Sequence, residues 1–268
     1  MLKLVPVLAG AGVIGSLLSS TSFAQSTASL QIAMGNPSGA VASSSYPANY
    51  LMQKPQFAVG YHRDKGIPIW VSWHLGNQDL GSAARCDCFS SDTTLPSGWY
   101  RVTSSSYTGS GYDRGHMAPS ADRTKTSTDN AATFKMTNIL PQTPDNNQGP
   151  WARLEDYCRS LIASGKELYI ISGGDEKKGT INSGRVEVPS FTWKVVMVLN
   201  EGSSDLSRVT TSTRLIAVSI PNSSGIRAND WRNYRTSVDQ VEAWTGYNFF
   251  SNVSPSIQSV IESKVDTL

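Results

Sequence analysis

Apolar and polar positions alternate in two ways along this chain. Phe57–Tyr61 and Ile69–Leu75 are aromatic and β-branched runs separated by Gly66 and Pro68, which predicts two strands. Phe134–Asn138 predicts another, stopped near Pro141. Leu168–Ser172 is a short apolar run before Gly173-Gly174 and predicts a buried central strand. Phe191–Leu199 and Arg214–Ile220 extend the same sheet. Three segments follow the helical period. The first runs from Pro150 to Ser164, with Pro150 as the first helical residue, Gly165 as the stop, and Trp151, Leu154, Cys158, Leu161 and Ile162 on its apolar stripe. The second starts near Ser237, where Ser237 and Gln240 fit a capping box, and ends before Gly246. The third opens on Ser254-Pro255 and carries Ile257, Val260, Ile261 and Val265 on one stripe. Strands outnumber helices and interleave irregularly, so the expected class is α+β, a central, mostly antiparallel sheet flanked by helices.

The N-terminus does not belong to that pattern. Lys3, the apolar run Leu4–Leu18 and Ser22-Phe23-Ala24 match a secretory leader, cleaved after Ala24, which would make the protein secreted or periplasmic. Gly10, Gly12, Gly15 and Ser16 interrupt the run, and it is shorter than the ~20 apolar residues a membrane span needs. Residues 25–50, rich in Ser, Ala, Gly and Pro, read as a leader arm, and residues 51–268 as a single domain without repeats or linkers.

Composition narrows the partners. With 39% apolar and 16% charged residues, the chain can build one sizeable core. A formal net charge of +2 excludes a bulk basic surface, and residues 85–159 hold eight basic and eight acidic side chains. Any phosphate-binding surface must come from local arrangement. Three cysteines allow at most one internal bridge. Cys86 and Cys88 are too near each other to pair easily, so any internal bridge would join Cys158 to one of them, with the choice open. Cys158 is also expected to be a buried thiol with no catalytic function.

The chain has three histidines. His62 sits in a polar turn and His74 in a strand run, and both read as structural. His116 lies in Asp113-Arg114-Gly115-His116, where a cation and an imidazole flank a glycine. An imidazole titrates near neutral pH and can accept a proton from water. Glu155 lies at the edge of the first helix's stripe and needs a partner, either Arg159 at i+4 or a hydrated metal ion. Helix geometry alone favours the ion pair. The loop Asp145–Trp151 is rich in side-chain amides, which serve as turn formers or as oxygen ligands for a hard cation.

Three ordered blocks, DRGHMAPSADR at Asp113–Arg123, NILPQ at Asn138–Gln142 and NQGPWARLE at Asn147–Glu155, resemble the DNA/RNA non-specific endonucleases. The resemblance runs from about Gly35 to Pro255 and is nearest the secreted, sugar-non-specific nucleases of the cyanobacterial type. It implies a ββα-metal (His-Me finger) nuclease fold and a metal-dependent endonuclease cleaving single- and double-stranded DNA and RNA to 5′-phosphate ends. It implies His116 as general base, Asn147 as the direct ligand of one Mg²⁺ or Mn²⁺, and Glu155 holding a water of that ion. Asn138 would fix the site, and Arg114 and Arg85 would stabilise charge on the phosphate, with Arg85 in the unusual setting Arg85-Cys86-Asp87-Cys88. Asp113 and Arg123 would join the site or brace its loop. A non-catalytic nucleic-acid-binding protein on the same fold and a small-substrate phosphodiesterase are the alternatives. A protein inhibitor is compatible with the resemblance, though nothing in the sequence shows one.

Overall fold

A computed structural model describes Met1 and residues 29–268; the leader and its cleavage after Ala24 fall outside the described residues. Among the described residues there are nine strands: β1 (Tyr50–Gln53), β2 (Ala58–His62), β3 (Ile67–Leu75), β4 (Asp113–His116), β5 (Ile139–Gln142), β6 (Lys166–Ile181), β7 (Val186–Asn200), β8 (Arg214–Pro221) and β9 (Arg235–Thr236). Seven form one antiparallel sheet in the order β1-β2-β3-β6-β7-β8-β9, while β4 and β5 form a separate hairpin.

The large sheet is covered on both faces. Side chains alternate along a strand, so neighbours in β7 enter different cores. Val195 and Met197 join Trp70, Tyr169, Ile171, Val238, Val241, Phe249 and Ile261. Val196 joins Val71, Trp73, Ile170, Trp151, Leu154, Cys158 and Ile162. Two-sided burial explains why the central strands read as continuous apolar runs and not as alternating ones. The helix Ala152–Ala163 buries Leu154, Cys158 and Ile162, one turn apart, against the second of these faces. A buried Leu or Ile contributes about 1.5–3 kcal/mol, so this stripe anchors the helix beside the β4–β5 hairpin.

Several sequence expectations change. Phe134–Asn138 is not a strand: Met136–Asn138 is a 3-10 turn and the strand follows it at β5. The reason is local, because the Asn138 amide bonds backbone groups and so competes with a ladder. The regular site helix begins at Ala152, after a π-type turn over Asn147–Trp151 that contains Pro150. Gly149 breaks the helical path there (φ −108°, ψ −118°), and a Cβ on it would sit 2.9 Å from the Arg227 backbone. The last helix, Pro255–Ile261, buries Ile261 but leaves Val260 36% and Val265 48% exposed, so the expected stripe is cut short. From residue 29 onward the segment read as a leader arm lies against the fold: Met34 and Ala40 are buried, and Gln31 Oε1 accepts the His74 backbone N–H at 2.9 Å.

The disulfide expectation is also corrected. Cys86 bonds Cys88, and Cys158 is an unpaired buried thiol whose pKa burial pushes up to about 12. The short spacing is bridged because Asp87 adopts φ 47°, a left-handed turn that brings the two Cα atoms to 5.1 Å. No helix among the described residues is long and apolar enough to cross a membrane.

Candidate active site

The β4–β5 hairpin places His116 opposite Ile139 and Asp113 opposite Gln142. Glycine is required between them: a Cβ at Gly115 would come within 1.8 Å of Gln142 Oε1. Beyond the strand, Asn138 locks the chain. Its Oδ1 accepts Ala118 N–H at 2.9 Å, and its Nδ2 donates to Ala118 O and Thr133 O, each at 2.8 Å. Asn138 is 0% exposed, so its amide is spent on bracing the segment that carries His116 and none of it faces a ligand.

His116 is 8% exposed. Its ring packs edge-on to Phe134 (centroids 4.7 Å) and tilted against Phe89 (5.3 Å), and its backbone oxygen accepts Trp151 Nε1–H at 3.3 Å. Nε2 is buried and has no hydrogen-bond partner among the described residues. Burial pushes the imidazole pKa down to about 3; the Arg85 charge adds to this and Asp87 opposes it. The ring is therefore neutral near pH 7, the form in which a nitrogen accepts a proton.

Beside it lies an open groove of about 330 Å³, lined by Arg85, Phe89, Tyr112, Asp113, Arg114 and Asn147 among others. The Arg114 guanidinium stacks 4.5 Å over Phe89 and that of Arg85 4.8 Å over Phe134, so both cations sit on the rings that enclose His116. Arg85 Nε donates to Asp87 at 2.6 Å and its NH1 to Ser120 Oγ at 2.9 Å. The Cys86–Cys88 ring holds Asp87 in place, and the Cys86 N–H donates to Asn130 Oδ1 at 3.1 Å. The unusual cysteine setting thus orients Arg85 toward the groove wall.

Asp113 accepts from Asn147 Nδ2 at 2.9 Å and from Gln148 Nε2 at 2.7 Å. This orients the Asn147 amide with its nitrogen engaged, and Oδ1 receives no hydrogen bond among the described residues. A free amide oxygen at the groove suits a hard cation. Arg123 does not reach the groove: it is 2% exposed and donates to Gln56 O at 2.6 Å and His74 O at 2.7 Å. His74 is buried, with Nε2 3.3 Å from Glu167, and His62 Nδ1 accepts the Lys65 backbone N–H.

Glu155 does not pair with Arg159, which reaches Asp122 at 2.9 Å and Asp156 instead. Its cation is Lys194, Nζ 3.7 Å away. Burial pushes the Glu155 pKa up to about 7, with Lys194 opposing. Lys194 is 1% exposed and lies 4.1 Å over the Trp151 ring and 5.7 Å over Trp73. Sequence reasoning missed this residue. Its signal is the lone charge inside the apolar run Phe191–Leu199, on the face of β7 toward the site helix.

Comparisons with known proteins identify the family and the fold. A family model for DNA/RNA non-specific endonucleases matches residues 35–256. A nuclease of Nostoc sp. is 57% identical over 238 residues, covering 89% of this chain and 86% of that protein. The mitochondrial nuclease EXOG of Xenopus laevis is 33% identical over 207 residues, 72% of this chain and 56% of that protein. Nuclease C1 of Cunninghamella echinulata is 28% identical over 225 residues, 78% of this chain and 86% of that protein. The crystal structure of an EndoG/EndoGI complex matches with a TM-score of 0.71 at 22% identity, covering 88% of this chain and 96% of that chain, which shows a shared fold.

Proposed function

Because the chain belongs to the DNA/RNA non-specific endonuclease family, we propose that the groove beside His116 hydrolyses phosphodiester bonds of DNA and RNA with one divalent ion, Mg²⁺ or Mn²⁺, leaving 5′-phosphate ends. The chain is a hydrolytic nuclease with the α+β, ββα-metal fold. The observation that carries the reading is the neutral His116 imidazole enclosed by Phe89 and Phe134, the rings on which Arg114 and Arg85 stack at the groove.

Each residue has a physical task. His116 takes the proton of the attacking water. A pKa near 3 in the free protein makes it a weak base. A phosphate anion in the groove counters the Arg85 charge that helps depress it, and so raises its proton affinity when substrate is present. Arg114 and Arg85 stabilise the charge that grows on the phosphate oxygens, at fixed positions on Phe89 and Phe134. Asn138 keeps the His116 segment in register. Asn147 would hold the cation through Oδ1, with Asp113 orienting it, and Glu155, eight residues on, would supply a nearby carboxylate. When bound, the ion supplies Lewis-acid stabilisation of the leaving oxygen. Sugar indifference follows from contacts made to phosphate, which is common to DNA and RNA.

Digestion of plasmid DNA and of RNA, with and without EDTA, tests the reading. Complete loss of cleavage in chelator and recovery on adding Mg²⁺ or Mn²⁺ is expected; cleavage that persists in EDTA excludes it.

Lys194 gives a second expectation. Lys194→Met keeps the volume over Trp151 but removes the charge that favours the Glu155 carboxylate, so the Glu155 pKa rises further above about 7. Activity at pH 7 should fall about 10–100-fold, the usual cost of losing a partner that supports a metal site. It should recover partly as pH rises to 9, because the acid ionises there. A uniform loss at every pH would assign Lys194 a packing role only.

A further inference from the structure

On the opposite face of the sheet, three carboxylates converge where the last two helices meet. Asp239 and Glu242 lie one turn apart on the helix Val238–Thr245, and Glu262 follows the helix Pro255–Ile261. The Asp239 N–H donates to the Glu262 backbone oxygen at 3.1 Å and ties the two elements together. One oxygen from each of the three carboxylates lies within 4.8 Å of the other two. Glu262 is only 4% exposed, yet its Oε1 has no hydrogen-bond partner among the described residues. Among the described residues, the Glu242 carboxylate accepts only the Phe249 N–H at 2.9 Å.

No cation answers these charges among the described residues. Lys264, two positions beyond Glu262, turns away and donates to Thr211 O at 3.2 Å. Another cluster, His74, Glu167 and Asp205, shows the contrast: Arg208 reaches both of its acids and neutralises them. The lone groups at Asp239, Glu242 and Glu262 repel one another, and burial with that repulsion pushes the Glu262 pKa up to about 8. An unpaired buried carboxylate is costly, so the cluster needs a counterion or a proton.

We propose that Asp239, Glu242 and Glu262 form a binding site for one calcium-type divalent cation that clamps the two C-terminal helices, separate from the nuclease groove. The donors are hard anionic oxygens, the kind Ca²⁺ takes. Oxygens bound about 2.4 Å from one ion lie at most about 4.8 Å apart, and the three carboxylate oxygens fall within that limit. Exposed Asp239 leaves room for water to complete the coordination. Val238, Val241 and Ile261 belong to the core on the face away from His116, so the clamp acts on stability and not on the reaction.

Thermal melts at pH 8, in EDTA and in excess Ca²⁺, test the site. They are run on the full chain carrying Asn147→Ala, so that the proposed catalytic ion does not contribute. Ca²⁺ at about one hundred times its Kd should raise Tm by about 5–10 °C. Adding Glu262→Gln removes one charge without changing shape. That variant should melt higher than its parent in EDTA and lose the Ca²⁺ response. Equal melting with and without Ca²⁺ at pH 8, or a Ca²⁺ response that survives Glu262→Gln, overturns the proposal. A Tm that rises only as pH falls below about 8, with no Ca²⁺ effect, assigns the site to a shared proton and overturns it equally.

Discussion

His116→Ala should reduce cleavage of both DNA and RNA by about 10²–10⁴-fold, the range general-base catalysis contributes. The fold should persist, because the hydrogen bonds of the segment come from Asn138 and Trp151 to backbone atoms and not from the ring. The variant should also respond differently to acid. The wild-type imidazole has a folded pKa of about 3, below its unfolded value of about 6.5. The unfolded chain therefore binds the proton first, and wild-type stability is full above about 6.5 and declines as pH falls toward 3. His116→Ala removes that slope. Urea melts at pH 7 and pH 4.5 check it: the gap between the two pH values should be smaller in the variant. An active His116→Ala protein would remove the imidazole from the mechanism.

Asn147→Ala should cost at least the about 10–100-fold that weaker support of a metal site costs, measured at limiting Mg²⁺. Raising Mg²⁺ should restore part of the rate, since the loss lies in cation affinity. Asn147→Asp is the informative companion. It would set a carboxylate against Asp113, which now accepts the Asn147 amide at 2.9 Å. Like charges at that distance should loosen the loop even though a carboxylate is a good ligand. If Asn147→Ala kept the wild-type Mg²⁺ dependence, Asn147 would be a bracing residue and the ion would sit elsewhere.

Much of this site was legible along the chain because its parts are short and local. Gly115 sits beside His116, and Asn147 and Glu155 are eight residues apart on one turn-and-helix segment. The strands at Ile69–Leu75, Leu168–Ser172 and Phe191–Leu199 were legible for a similar reason: apolar runs report burial directly. Two errors show the limit of local reading. Phe134–Asn138 has strand-like residues, but Asn138 spends its amide on Ala118 and Thr133, and the strand forms later. Arg159 has the right spacing for Glu155, but Asp122 lies nearer in space and takes it.

The sequence by itself determined the family and the α+β class and put forward the groups proposed for the chemistry, because residue identity and order carry these. Tertiary structure alone decided the states of those groups. It buried His116 between Phe89 and Phe134, which keeps the ring neutral. It chose Lys194, thirty-nine positions from Glu155, as that acid's partner. It paired Cys86 with Cys88 through a left-handed Asp87 and so seated Arg85. The physical reason is common to all three. Desolvation and Coulomb energy depend on distance and burial in space, and residues far apart in the chain supply both.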